Sequence, residues 1–193
     1  KAIRKLPKSM VTKLKRSTKP YARYGYGVWL WLTHKDSESL KMSFKIFEES
    51  AANGIADALQ LLSRMYYLGE AYDENAGKFV MDRKLSMELQ AQAIEEGSIT
   101  AKLRRNRDLY LGTAEVKADK EAAIAKAERE SSAIFSESIL WTEQLGWFYQ
   151  LEGETEKAVN AYDKCIVNGY YVPIFDLALI ALDEDDFEYY ETL

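Results

Sequence analysis

The sequence predicts an all-α protein: an α-solenoid of antiparallel helix hairpins, with about four repeats and capping helices at the ends. Three observations predict it. Proline occurs only at Pro7, Pro20 and Pro173, and the glycines stand singly where helical periodicity stops, which is where breakers belong in a helical chain. Alternation of apolar and polar residues over strand length is hard to find, so little or no sheet is expected. Finally, one frame recurs. Its first, sixth, ninth and twelfth positions are Ala58, Ser63, Tyr66 and Gly69, then Ala101, Asn106, Leu109 and Gly112, and earlier Ala22, Gly27, Leu30 and Thr33. A degraded fourth copy has Trp141, Gly146, Tyr149 and Glu152, with Gly153 one position late. Starts spaced by about 40 residues mark a repeat array.

The chain opens with a basic segment, residues 1–20. Ile3, Leu6, Met10 and Leu14 form an apolar stripe with lysines opposite, and Pro7 limits any helix to the part after Leu6. Two readings follow: a helix capping the first repeat's apolar edge, or a basic amphipathic helix that docks on an anionic membrane surface or a partner. Repeats are then expected at about 21–54, 55–97, 98–132 and 137–169. In each, a second helix follows the frame with its own start signal: Asp36, Asp82, Asp119 and Thr155, short side chains whose oxygen can accept from free N–H groups of the first turn. Gly54, Gly97 and Gly169 end three of these helices, and Ser132 occupies the fourth such place. Leu40, Phe44, Phe47 and Ala51, then Leu85, Leu89 and Ala93, then Ala158, Tyr162 and Cys165 give the second helices one apolar face each. A single hairpin cannot cover that face, whereas stacked hairpins do. The small residue at position six, Gly27, Ser63 or Gly146, is expected to let two helices approach closely, with Asn106 the exception. EAYDENAGKFVM, after Gly69, reads as a longer loop, and residues 171–193 read as C-terminal capping helices.

ADALQLLSRMYYLG followed by Asp82, Ala93 and Gly97, and AKLRRNRDLYLG followed by DKEAA, resembles the Sel-one-like repeat, a relative of the tetratricopeptide repeat. The resemblance runs from about Tyr21 to Gly169. The family's Gly-x-Gly-Val turn after the first helix is absent from the better copies, and Gly25-Tyr26-Gly27-Val28 falls too early to be that turn. What the resemblance implies is a right-handed superhelix that binds protein partners as an adaptor or scaffold, without chemistry or a cofactor of its own. Its concave wall would be lined by the first helices: Ala22 to Trp31, Ala58 to Tyr67, Ala101 to Leu111 and Trp141 to Tyr149.

Composition narrows the function classes. A formal net charge of −5 over 193 residues argues against whole-protein affinity for nucleic acid, where a basic domain is expected. Charge is nevertheless polarised, with eight basic residues up to Lys19 before any carboxylate and an acidic stretch from Asp183 to Glu191. Cys165 is the only cysteine and reads as a small buried hydrophobe. No apolar run is long enough to cross a bilayer. The N-terminus lacks the apolar core of a signal peptide, so a cytoplasmic protein is expected, with export and a removed signal before Lys1 as the alternative. His34, the only histidine, sits at a helix junction as an ordinary turn residue. No phosphate loop, nucleophile elbow or paired-histidine metal motif occurs, and Asp73, Glu74 and Asn75 lack the ligand spacing of a calcium loop. No enzyme, metal or cofactor is therefore expected.

The candidate contact residues are Tyr24, Trp31, Tyr66, Arg104, Arg105 and Arg107. Tyr21, Tyr24, Tyr26, Trp29 and Trp31 crowd one helix, and aromatics either build cores or anchor interfaces. Trp29 and Trp31 lie two apart, on different sides, so one of them is expected to be exposed. Arg105 stands where the other copies have Tyr26, Leu62 and Leu145. An arginine there snorkels, pairs with a carboxylate, or is offered to a ligand, an acidic peptide before nucleic acid.

Overall fold

The computed structural model describes residues 6–133 and 137–173. The capping helices expected at 171–193 fall almost wholly outside the described residues, as do Ile3 and the basic residues before Leu6. In chain order the elements are α1 (Lys8–Arg16), α2 (Pro20–Thr33), α3 (Ser37–Ala52), α4 (Ala56–Leu68), β1 (Ala71–Asp73), β2 (Lys78–Val80), α5 (Arg83–Glu95), α6 (Ile99–Leu111), α7 (Lys120–Ser131), α8 (Ser138–Leu151) and α9 (Thr155–Val167). The all-α class holds, with one exception in the short ribbon between α4 and α5.

Helix starts obey the expected chemistry at three of four second helices. Asp36, Asp82 and Asp119 each accept from the backbone N–H three residues on, at 2.9 Å, from Ser39, Leu85 and Ala122. The fourth expectation fails. Thr155 is the first residue of α9 rather than its cap, and Glu154 precedes it without a side-chain cap bond. Gly54, Gly97 and Gly169 stop α3, α5 and α9 with φ of +80°, +93° and +82°, a conformation that costs other residues strain.

Where little or no sheet was expected, β1 and β2 form an antiparallel ribbon, pairing Ala71 with Val80, Tyr72 with Phe79 and Asp73 with Lys78. Asp73 builds its turn: one carboxylate oxygen accepts from the backbone N–H of Asn75 (2.9 Å) and of Ala76 (3.0 Å). Gly77 then takes a φ of +63°. Tyr72 and Phe79 pack edge to face across the ribbon, with centroids 5.3 Å apart.

The described residues up to 102 and those from 103 onward form two compact units, divided within α6. In the first, α2 packs on α3, α3 on α4 and α4 on α5. Its core holds Tyr26, Leu30, Trp31, Phe44, Ile46, Phe47, Leu62 and Met65. Val11 and Leu14 of α1 lie against this core, whereas Met10, placed inward by the sequence stripe, is 47% exposed. Gly27 is where α2 meets α3: a Cβ there would stand 2.7 Å from Ile46 Cγ2 and 3.0 Å from Phe47 Cε1. Ser63 has the same role between α4 and α5, donating from its hydroxyl to the Ser86 carbonyl at 2.7 Å.

In the second unit, α7 packs on α8 and α8 on α9. Asn106 of α6, the exception at position six, donates to the Ala123 carbonyl of α7 and to Gln144 Oε1 of α8, both at 3.0 Å. Gly146 of α8 returns to the glycine solution, facing Tyr162 of α9. Position six is thus the contact point with the second helix in all four hairpins.

Tyr110 stacks on Phe148 with centroids 4.3 Å apart, and its hydroxyl donates to Glu152 Oε1 at 2.5 Å. Lys120 Nζ reaches the same oxygen at 2.6 Å. The Lys120 ammonium first, and the Tyr110 hydroxyl second, hold the Glu152 carboxyl below the usual carboxylate range. Tyr110 is itself pushed up to about 12 by burial and by this bond. Because the folded value for Glu152 is depressed, the stabilisation is present above the unfolded carboxylate value of about 4.3 and is lost as pH falls through the folded value. Thermal unfolding between about pH 6 and pH 3 should therefore show a smaller acid-induced fall in Tm for Glu152→Gln than for the native chain. An equal fall in both would remove Glu152 from the acid response.

Candidate functional site

One of the expected contact residues, Tyr66, lies in a surface cleft of the first unit. The cleft is open and of about 730 Å³, within the size range of ligand pockets. Three stretches build it. Phe44, Lys45 and Glu48 come from α3, where a three- and four-residue spacing puts them on one side of the helix. Tyr66 comes from the last turn of α4. Tyr72, Asp73, Glu74, Val80, Met81 and Asp82 come from the ribbon and the approach to α5. A smaller recess of about 220 Å³ shares Phe44, Lys45, Glu48, Tyr72 and Glu74 and continues past Met42 to Glu38 and Lys41.

Phe44 and Tyr66 meet edge to face at 5.7 Å. Around them stand four carboxylates, Glu48, Asp73, Glu74 and Asp82, and a single ammonium, Lys45. Asp73 and Asp82 each commit an oxygen to the backbone, in the turn and the α5 cap. Glu48 and Glu74 have no ion-pair partner among the described residues. Partial burial pushes the Glu48 carboxyl up, and the neighbouring Glu74 charge adds to the shift. Burial likewise raises Tyr66, with Glu48, Asp73 and Asp82 reinforcing it. Burial dominates both shifts, and the neighbouring carboxylates add to each, while Lys45 opposes the shift at Glu48.

The sequence-predicted residues divide between the units. Tyr66 lines the cleft. Tyr24 is half-buried beside Phe47, centroids 6.1 Å apart, and burial followed by the Asp57 charge raises its hydroxyl. Trp31 requires correction: it is 3% exposed and belongs to the core. Its ring meets Phe47 edge-on at 6.4 Å and its N–H donates to Glu70 Oε2 at 2.5 Å, so it has no surface to offer a partner. Trp29 is the more exposed of the pair, half-buried between Tyr26 and His34.

In the second unit, Arg104 is mostly buried and forms an ion pair with Asp108 at 3.8 Å. Arg105 is half-buried and has no carboxylate partner among the described residues. Arg107 is exposed and lines a shallow groove of about 420 Å³ with Leu103, Leu140, Glu143, Gln144, Trp147 and Tyr162. Gln144 is fixed there by donating to the Leu103 carbonyl at 2.7 Å, and Glu143 accepts from the Tyr170 hydroxyl at 2.9 Å.

Sequence reasoning missed Glu48, Tyr72, Asp73, Glu74 and Asp82 as site residues. The signal available was the extra length of EAYDENAGKFVM, an insertion into an otherwise regular repeat. Elsewhere, His34 is exposed, with Nδ1 2.7 Å from Thr33 Oγ1. Cys165 is buried, and burial pushes its thiol up to about 12, far from a reactive thiolate. Among the described residues no group of three or more His, Cys, Asp or Glu side chains is placed to hold a metal ion, and no helix is long and apolar enough to cross a membrane.

No family model and no curated protein matches the chain. Its structure is similar to the crystal structure of a Sel1 repeat protein from Oxalobacter formigenes, with 19% sequence identity and a TM-score of 0.49. The match covers 88% of this chain and 48% of the other, so the chain spans about half the length of that protein.

Proposed function

We propose that the chain is a non-catalytic helical-repeat adaptor that holds a segment of a partner protein in the cleft of its first unit. One observation carries the reading: the cleft of about 730 Å³ and its adjoining recess form a continuous open surface with an aromatic floor and a charged rim. Aromatic anchors inside a polar rim are the arrangement that concentrates binding energy at protein interfaces. The surface draws on a first helix through Tyr66 and on a second helix and the ribbon through Phe44, Glu48 and Tyr72, so it extends beyond the first-helix wall. The competing reading, docking on an anionic membrane through the N-terminal segment, is disfavoured because α1 turns Val11 and Leu14 onto the core of the unit. That placement supports α1 as a cap.

Selection from a random peptide library displayed against the full chain tests the adaptor reading. The expected result is an enriched consensus whose binding falls by about tenfold or more in the double variant Tyr72→Ala, Met81→Ser, both at the cleft. Met81 is 58% exposed, whereas Tyr72 packs partly buried against the core, so far-UV circular dichroism of the double variant checks that the helices are intact. No enrichment, or peptides that bind the variant unchanged, would contradict it.

A further inference from the structure

Throughout both units, cations sit over aromatic rings. Lys35 Nζ lies 4.8 Å and Arg64 Cζ 5.2 Å from the Trp31 ring centre, Arg83 lies over Tyr67 at 5.6 Å, and Lys120 lies over Tyr110 at 5.2 Å. At the edge of the cleft, Lys41 covers the Tyr72 ring at 4.4 Å. Inside it the pattern breaks. The half-buried Tyr66 ring carries no such cation among the described residues, although the charges around it favour one.

We infer that the cleft is a receptor for an arginine side chain of a basic partner segment, its guanidinium lying against the half-buried Tyr66 ring, which Phe44 backs from the core, and facing the carboxylates of Glu48 and Glu74. The inference rests on the adaptor reading and names the chemistry of what that surface holds. Three considerations select this occupant. The rim carries Glu48, Asp73, Glu74 and Asp82 against Lys45 alone, so an acidic or neutral segment leaves its charges uncompensated. The carboxylates are not gathered closely enough to hold a metal ion, which leaves a larger organic cation. A planar guanidinium can stack on an aromatic face and still direct N–H donors sideways to two carboxylates, whereas an ammonium is a compact charge that does one or the other well. Glu74 repels the Glu48 carboxylate, a contribution second to burial in raising the Glu48 carboxyl, and this repulsion is relieved when a cation enters.

Fluorescence anisotropy with three labelled probes tests this: equal-length glycine–serine peptides carrying three arginines, three glutamates or three norleucines, each titrated with the full chain. The arginine peptide is expected to bind at least about tenfold tighter than the other two. Glu48→Gln combined with Glu74→Gln should weaken it by about tenfold, and the charge-reversed pair Glu48→Lys, Glu74→Lys should abolish binding. Both glutamates are exposed, and far-UV circular dichroism of each variant checks that the helices are intact. Arginine binding that ignores the glutamate substitutions overturns the inference, and so does the absence of arginine binding. If the norleucine or glutamate peptide is instead preferred at this cleft, the arginine receptor is refuted while the adaptor reading stands.

Discussion

Phe47→Ala is expected to lower the unfolding free energy of the first unit by about 3–5 kcal/mol, the range for removing a fully enclosed aromatic ring. Phe47 is 0% exposed and stands where α3 meets α2. Tyr24 and Trp31 of α2 meet its ring, with centroids 6.1 and 6.4 Å away, and Gly27 leaves its Cε1 the space a side chain would occupy. The surroundings cannot collapse into the void, because Trp31 is tethered through its N–H to Glu70 and Ile46 is wedged against Gly27. Urea unfolding monitored by circular dichroism measures the loss. A change below about 1 kcal/mol would mean that Phe47 is not a keystone of this core. Phe47→Leu, which keeps most of the volume, should cost less than the alanine variant.

The second large effect comes from adding volume. Gly146→Val is expected to destabilise the second unit by about 3 kcal/mol, at the upper end of overpacking costs. Even the Cβ shared by every other residue would stand 2.6 Å from Cε1 and 2.7 Å from Cδ1 of Tyr162. The Tyr162 ring is a rigid plane, 1% exposed, whose hydroxyl donates to Gln150 Oε1 at 3.1 Å, so it cannot swing aside. An internal comparison separates this from the general effect of replacing a helical glycine. A Cβ at Gly25 in α2 would meet nothing within 4 Å, so Gly25→Ala should be neutral or stabilising by up to about 1 kcal/mol from helix propensity alone. Equal responses at Gly25 and Gly146 in thermal unfolding would contradict the close approach.

Why these contacts were legible in sequence, while the cleft was not, follows from how each is encoded. Position six recurs in register, and a small residue on a helix with an apolar face has few uses other than close approach, so Gly27, Ser63 and Gly146 could be read directly. Asn106 could not, because its amide replaces missing volume with two hydrogen bonds to groups far along the chain. Asp36, Asp82 and Asp119 were readable because capping is local. Thr155 was not, because the backbone placed Glu154 outside the helix and took Thr155 into it. Trp29 and Trp31 defeated the reading for another reason: α2 is apolar on most sides, so periodicity could not say which indole faces Phe47. The ribbon has three residues per strand, too few for a period of two to show. The cleft depends on that ribbon, and it unites Glu48 with Glu74 and Asp82 only after α3, α4 and the insertion have packed.

One hairpin is used four times, each copy bringing its sixth position against its second helix. A carbon-edited NOE spectrum tests it most directly at the two glycines, whose Hα protons report the approach without substitution. Strong cross-peaks are expected from Gly27 Hα to the Ile46 Cγ2 methyl and from Gly146 Hα to the Tyr162 ring protons, since a Cβ at either place would lie within 2.7 Å of those carbons. Absence of both, in a spectrum where other buried methyl and ring contacts are resolved, would contradict it.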